Sequence, residues 1–479
     1  MYRLLIIFFL FIPVCTNAQD VRELNSQNRS ADYYEAIELY QQMAETFSEA
    51  EFINIGPTDA GQPLHFFVIN KKEIFNPTDI NRYLQSVILI NNGIHPGEPD
   101  GIDASLRLAQ DLLNGNRELP DNVVICIVPV FNVGGALRRG CCSRANQNGP
   151  EQYGFRGNAR NLDLNRDFIK CDAANTRSLT RWMSLWDPDL FIDTHVSNGA
   201  DYQYTMTLLS TQPDKLGGSL TSLLRDDMMP ALYKDMKKRG HEMTPYVNTR
   251  KYGDDPRKGI YDYYESPRYA SGFADLMGIP SFVTETHMLK PFPERVDATE
   301  AFLISALDYM KKHGRKVSDA RRAWKKEFMA ATELPVDYTC DTTVSIPIMF
   351  KGYESYTEIS EVTKLPQLYY DNTRPYTDTI RYHNTFIPAK KVRIPKQYII
   401  PGAWSEVVER LKNFGVVVQQ LDRDHRYEAG IRYITSYETT SKAYEGRYLH
   451  YDISTELRTE TVKFTRGDYV IQTAQPAVR

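Results

Sequence analysis

Past its first twenty residues, this chain of 479 residues has no apolar run that could cross a bilayer, which takes about 20 consecutive apolar residues. Charge of one sign is also missing. The 57 Lys and Arg stand against 61 Asp and Glu, a net charge of −4 with no polybasic tract, so no nucleic-acid partner is expected. Cysteine is scarce, six in all, and no spacing among them resembles a zinc knuckle. Histidine is scarce too, nine in all, so two of them placed alike carry weight.

What is there begins with MYRLLIIFFLFIPVCTNAQD: a basic Arg3, an apolar stretch from Leu4 to Val14, and a small-residue close at Thr16-Asn17-Ala18. That is the pattern of a secretory signal peptide over residues 1–18, and it places the mature protein in the periplasm or the medium. Ile12-Pro13-Val14 before Cys15 makes a poor lipoprotein signal. Five cysteines remain after cleavage, an odd number that leaves one unpaired in an oxidising compartment. Cys126, in the strand-like run Val123–Val130, reads as a buried free thiol. Pairing of Cys141 or Cys142 with Cys171 is one option, since both flank one loop region, and the sequence leaves connectivity open.

A lead-in over residues 19–50 carries an amphipathic helix, with Tyr33, Ile37, Tyr40, Met43 and Phe47 at helical spacing. EFINIGPTDAGQPLHFFVIN reads as two strands around a Gly/Pro turn. Strands and helices then alternate: strands at Val87–Ile90, Val123–Val130, Leu190–Asp193 and Ser281–Thr284, helices over Ile102–Leu113, Ser219–Lys238 and Asp297–Lys312. Such alternation predicts an open α/β sheet with helices on both faces and ligands gathered at the carboxyl ends of the strands.

Chemistry-bearing residues collect at those ends. Ser86–Gly101, SVILINNGIHPGEPDG, is an apolar strand followed by a turn that carries His95 and Glu98 three residues apart. His195 follows the strand at Leu190. Two imidazoles and a carboxylate make a three-ligand zinc site with one position open. Between them, Phe155–Phe168 holds Arg156, Arg160 and Arg166 among Gly, Asn and Asp, which suits recognition of an anion, since a guanidinium fork matches a carboxylate. Glu285 ends a further strand as a candidate general base. Tyr269 lies in a Gly/Ser-bearing segment suited to a flap.

H-P-G-E, D-L-N-R, a strand-end His and a strand-end Glu, in that order over residues 51 to 313, resemble the zinc carboxypeptidases of the carboxypeptidase A type. The resemblance implies an α/β fold, an α/β/α sandwich around a mixed, mostly parallel sheet of about eight strands, over residues 51–320. It implies one Zn2+ ion held by His95, Glu98 and His195. Glu285 matches the catalytic glutamate, Asn165 and Arg166 the pair that holds the substrate's terminal carboxylate, and Asp163 the acid that orients the first zinc histidine. Arg156 fits the transition-state arginine, with Arg160 as its competitor. Tyr269 fits the carboxylate-binding tyrosine, with Tyr261, Tyr263 and Tyr264 close by. The chain departs from the digestive enzymes at Phe131–Gly135, F-N-V-G-G for N-P-D-G, and in the loop after Tyr269, so side-chain preference does not transfer.

The implied reaction is hydrolysis of the C-terminal peptide bond of a peptide with a free carboxylate, by zinc-activated water with Glu285 as base. A cell-wall peptide amidase or an acyl-amino-acid deacylase on the same scaffold is the alternative, and an inactive binding domain is the third reading. From residue 325 the chain turns to alternating Thr/Tyr/Val/Ile runs with one helix over Ala403–Phe414, expected as a smaller β-rich accessory domain. Its stop straight after Asp468–Gln472 reads as a truncation.

Overall fold

The computed structural model describes residues 20–251 and 253–477, so the signal peptide expected over residues 1–18, with Cys15, lies outside the described residues. No helix among the described residues is long and apolar enough to cross a membrane.

The lead-in helix forms over Tyr33–Thr46, and its start is written in the sequence. Asp32 accepts from the N–H of Glu35, and the Glu35 carboxylate accepts from the N–H of Asp32, a reciprocal cap worth about 1 kcal/mol. Nine strands follow: β1 (Ala50–Pro57), β2 (Pro63–Ile69), β3 (Ser86–Asn91), β4 (Val123–Val128), β5 (Leu190–Ser197), β6 (Met206–Ser210), β7 (Met243–Pro245), β8 (Ile260–Tyr261) and β9 (Ser281–His287). All but β8 form one sheet in the order β1-β2-β4-β3-β5-β9-β6-β7. The pairs β3–β4, β3–β5, β5–β9 and β6–β7 are parallel. Those at β1–β2, β2–β4 and β6–β9 are antiparallel. The mixed, mostly parallel sheet of eight strands agrees with the expected α/β class.

The central strands are buried at every position because helices cover both faces. Ile88, Ile90, Ile125 and Ile127 pack with the helices Tyr33–Thr46, Asp100–Leu113 and Phe292–Ala330. Val87, Leu89, Val124 and Cys126 face the other way, onto the helix Ala174–Trp186 and the short helix Ala270–Leu276. Close contact on the first face depends on Gly101, where an added Cβ would come within 1.9 Å of the Thr194 hydroxyl.

Three local readings are corrected, and an open disulfide pairing is decided. His195 lies inside its strand rather than beyond it, and Glu285 inside its strand rather than at its end, because β5 and β9 keep pairing through Ser197 and His287. The last helix of the block runs over Phe292–Ala330, far past Lys312, because Val317, Arg321, Trp324 and Phe328 continue its buried stripe. The stretch over Ser219–Lys238 is broken into the helix Gly218–Ser222, a π-helical turn at Leu223–Met228 and the helix Met229–Lys238. Cys141 bonds to its neighbour Cys142, not to Cys171, whose buried thiol donates to the Phe168 carbonyl; Cys126 is a buried free thiol as expected.

Beyond Ala330 the chain is β-rich: β10 (Glu333–Cys340), β11 (Ile346–Ile359), β12 (Pro366–His383), β13 (Phe386–Arg393), β14 (Gln397–Ile400), β15 (Gln419–Gln420), β16 (His425–Thr439), β17 (His450–Phe464) and β18 (Tyr469–Gln472). Two long hairpins, β11–β12 and β16–β17, dominate it. Strand β12 also pairs with β8 of the preceding region, through Tyr382 and His383.

Candidate active site

The site stands where β3, β5 and β9 end side by side. After Asn91 the chain turns at Gly93, whose φ of +64° favours glycine, and carries His95 and Glu98 over the sheet edge. On the neighbouring strands His195 and Glu285 are direct register partners. His95, Glu98 and His195 are buried and offer ligand atoms all within 4.8 Å of one another.

Both imidazoles are anchored from behind. His95 places Nε2 at 3.0 Å from Asp163 Oδ1, and its Nδ1 lies 3.4 Å from Glu98 Oε1. His195 places Nε2 at 3.0 Å from Asp193 Oδ2, and its Nδ1 lies 2.9 Å from Glu98 Oε2. The two Nδ1 atoms therefore converge on one carboxylate while two acids hold the far ring nitrogens, the arrangement that fixes tautomer and orientation in a metal-binding histidine. Burial works against a charge on His195, yet Asp193 and Glu98 outweigh it and raise the imidazolium well above its ordinary value. Burial would likewise raise Glu98, but Arg144 and His95 hold its carboxyl well below the usual range. Such a cluster of buried acids and imidazoles fits a divalent cation in place of its protons, and a His₂Glu donor set is that of a zinc site with one open position.

The other sequence-chosen residues come to the same cavity, a cleft of about 1420 Å³ lined by His95, Glu98, Arg156, Asn165, Arg166, His195, Tyr269 and Glu285. It exceeds the ~300–1,000 Å³ of ordinary small-molecule pockets, as a groove for an extended chain would. Arg156 pairs with Asp163 Oδ2 at 2.7 Å and sets one guanidinium nitrogen 3.3 Å from His95 Nδ1. Its competitor Arg160 reaches the Asp172 carbonyl instead, at 3.3 Å. Asn165 Oδ1 accepts from the Ala270 N–H at 3.0 Å, which ties the D-L-N-R turn to the helix after Tyr269. Arg166 lies 4.0 Å over the Tyr269 ring, and among the described residues no carboxylate forms an ion pair with its guanidinium. The hydroxyls of Tyr269 and Tyr263 are 2.9 Å apart, so both tyrosines face the cavity. Tyr261 and Tyr264 face away, stacked on His383 and Phe386. Burial pushes Glu285 up to about 8 against the pull of His195, with Glu98 adding to the rise.

Several residues escaped the sequence reading. Arg144 donates to Glu98 Oε1 at 2.6 Å and to the Val196 carbonyl at 2.7 Å, and nothing in its loop announced it. Asp193 had a signal: in D-T-H it stands two residues before His195, hence on the same face of the strand. Glu265 lines the cavity and burial pushes it up to about 7, His195 and Lys215 opposing. The β-rich region also reaches the cleft. Pro366–Tyr370, where β12 begins, line one wall. From the β16–β17 hairpin Glu445 accepts from the Asp163 N–H at 2.7 Å and from Lys170 at 3.2 Å.

Comparison with known proteins bears on this geometry. Residues 36–178 match the sequence model of the zinc carboxypeptidase family. Among curated proteins, carboxypeptidase 2 of Trichophyton rubrum is 20% identical over 439 residues, 86% of this chain and 73% of its own. Carboxypeptidase 2 of Trichophyton equinum is 20% identical over 414 residues, 81% of this chain and 69% of its own. Solved structures give a looser likeness. Carboxypeptidase A from Helicoverpa armigera is 14% identical with a TM-score of 0.44, over 62% of this chain and 75% of that one. A metallo-carboxypeptidase from Burkholderia cenocepacia is 16% identical with a TM-score of 0.42, over 59% of this chain and 70% of that one.

Proposed function

From a chain that belongs, through its residues 36–178, to the zinc carboxypeptidase family, we propose an exported, zinc-dependent metallocarboxypeptidase that removes the C-terminal residue of peptides. The observation that carries the reading is the convergence of three metal-ligand side chains, a half-buried carboxylate and a guanidinium without an acid partner among the described residues on one cavity.

His95, Glu98 and His195 would hold the ion, and Asp163 and Asp193 would orient the imidazoles. The chemistry that zinc supplies in such a donor set is Lewis acidity, towards a peptide carbonyl and towards water. Glu285 is the general base: it takes a proton from the attacking water and returns it to the leaving amine. Arg156 faces the charge that develops on the scissile carbonyl oxygen, an interaction worth about 3 kcal/mol per donor. Asn165, Arg166 and Tyr269 bind the terminal carboxylate, which confines attack to the last bond. The N-terminal pattern over residues 1–18 supports export, and residues from 331 onward serve as an accessory domain that walls the cleft.

Digestion of a mixed peptide library by the zinc-loaded protein, followed by mass spectrometry, tests the reading. Loss of single C-terminal residues from free acids, and not from the same peptides with amidated C-termini, is the expected result. Intact free-acid peptides would overturn it and turn attention to cell-wall amide bonds or acyl amino acids.

A further inference from the structure

Glu285 stands on β9, and Val283 follows on the same face two residues deeper, directly opposite Leu209 of β6. Both line the cavity and both are buried. With Tyr263 they supply apolar lining to the cavity that also holds the catalytic carboxylate. Glu265 lines the same cavity, and its Oε2 is sealed from solvent and without a hydrogen-bond partner in the structure.

The neighbouring cations are also engaged by other groups. Lys215 donates to the main-chain carbonyl of Glu265 at 2.7 Å and pairs with Asp275 at 3.3 Å. Arg166 lies over Tyr269 and donates to the Asn165 carbonyl. His195 is held between Asp193 and Glu98. A carboxylate oxygen shut off from water without a hydrogen-bond partner is costly, and an apolar side chain filling this space would offer it nothing in return. A long aliphatic stem ending in a cation satisfies both features, the stem against Val283, Leu209 and Tyr263 and the head on Glu265.

We infer that Glu265 is the specificity-determining residue of this site and that the C-terminal residue released carries a cationic side chain, lysine or arginine. The inference rests on the carboxypeptidase reading. Arg166 would take the α-carboxylate and Glu265 the side-chain cation, so that one amino acid engages two opposite charges across the pocket.

Steady-state kinetics on acyl-dipeptides that differ only in the last residue test this. In the wild-type enzyme lysine should exceed its uncharged analogue norleucine in kcat/KM by about ten- to a hundredfold, the usual effect of one charge-assisted hydrogen bond in a closed site. Arginine should behave as lysine does. Glu265→Gln should abolish the lysine-to-norleucine ratio, and Glu265→Lys should turn the preference towards a C-terminal glutamate. Norleucine cleaved as fast as lysine by the wild type would overturn the inference and leave the carboxypeptidase reading standing, and it requires no variant to fold. A lysine preference that survives in Glu265→Gln would overturn the assignment to Glu265. Failure to cleave any free-acid dipeptide would overturn the carboxypeptidase reading, and the inference with it.

Discussion

Replacing Asp193 with asparagine changes one oxygen to nitrogen in the most enclosed part of the site. Asp193 is fully buried. Its Oδ2 faces His195 Nε2 at 3.0 Å, and its Oδ1 accepts from the Asn91 amide nitrogen at 2.9 Å. A carboxylate can accept on both sides, whereas an amide accepts on one alone. In Asp193→Asn the new amide keeps an acceptor on His195 by turning its NH2 to Asn91, whose unpartnered Oδ1 can accept it after a flip, and the imidazole loses its charged partner. An acid behind a metal-binding histidine contributes about 10- to 100-fold in metal affinity, or about 1.4 to 2.8 kcal/mol. The variant keeps the side-chain volume inside β5, so the sheet is expected to hold. Zinc content measured against a graded series of chelator buffers should show the dissociation constant raised within that range, with activity restored at high zinc. An unchanged zinc affinity in a folded variant would refute the assignment of Asp193 as the group that positions His195.

Three further outcomes are expected. Glu285→Gln should retain zinc and lose turnover by about 10²- to 10⁴-fold, the contribution of a positioned general base; near-normal turnover would remove Glu285 from that role. Glu445→Ala leaves the Asp163 N–H and Lys170 without their shared partner, and should cost about 1 to 2 kcal/mol of stability in denaturant unfolding, whereas an unmoved midpoint would show that the hairpin contact carries no weight. Burial pushes Asp103 from 3.8 up to about 7, against the N–H of Ala31, so the folded protein keeps a proton that the unfolded chain gives up. Its contribution is full below about pH 4 and falls by at most about 4 kcal/mol as the pH rises to 7; Asp103→Asn should flatten that slope relative to wild type, and parallel slopes would refute it.

How far the site was legible follows from the range of each interaction. H-x-x-E after an apolar run and D-L-N-R in a turn are local patterns, and the structure brings His95, Glu98, Asp163, Asn165 and Arg166 to one cavity. Strand ends were misjudged where pairing continues past the apolar residues: Thr194 to Ser197 extend β5 because β9 lies beside them. Cys141 and Cys142 pair with each other, which no distance along the chain to Cys171 could reveal. Arg144, Glu265 and Glu445 carry no local signature at all, since each matters through a partner 46 residues or more away, or through a cavity made by several strands.

The sequence by itself determined the alternation of strands and helices, the reciprocal cap at Asp32, and the order of donors that a zinc site needs, because hydrophobic period, capping and turn chemistry act over a few residues. Only the tertiary structure decided which acids stand behind the histidines, which tyrosines face the cavity, and that a hairpin some 280 residues downstream of Asp163 reaches its backbone. It also decided that Glu265 reaches the cavity of Glu285 and that, among the described residues, its Oε2 has no hydrogen-bond partner. Those choices depend on strand order, register and burial, which arise when distant segments exclude water together.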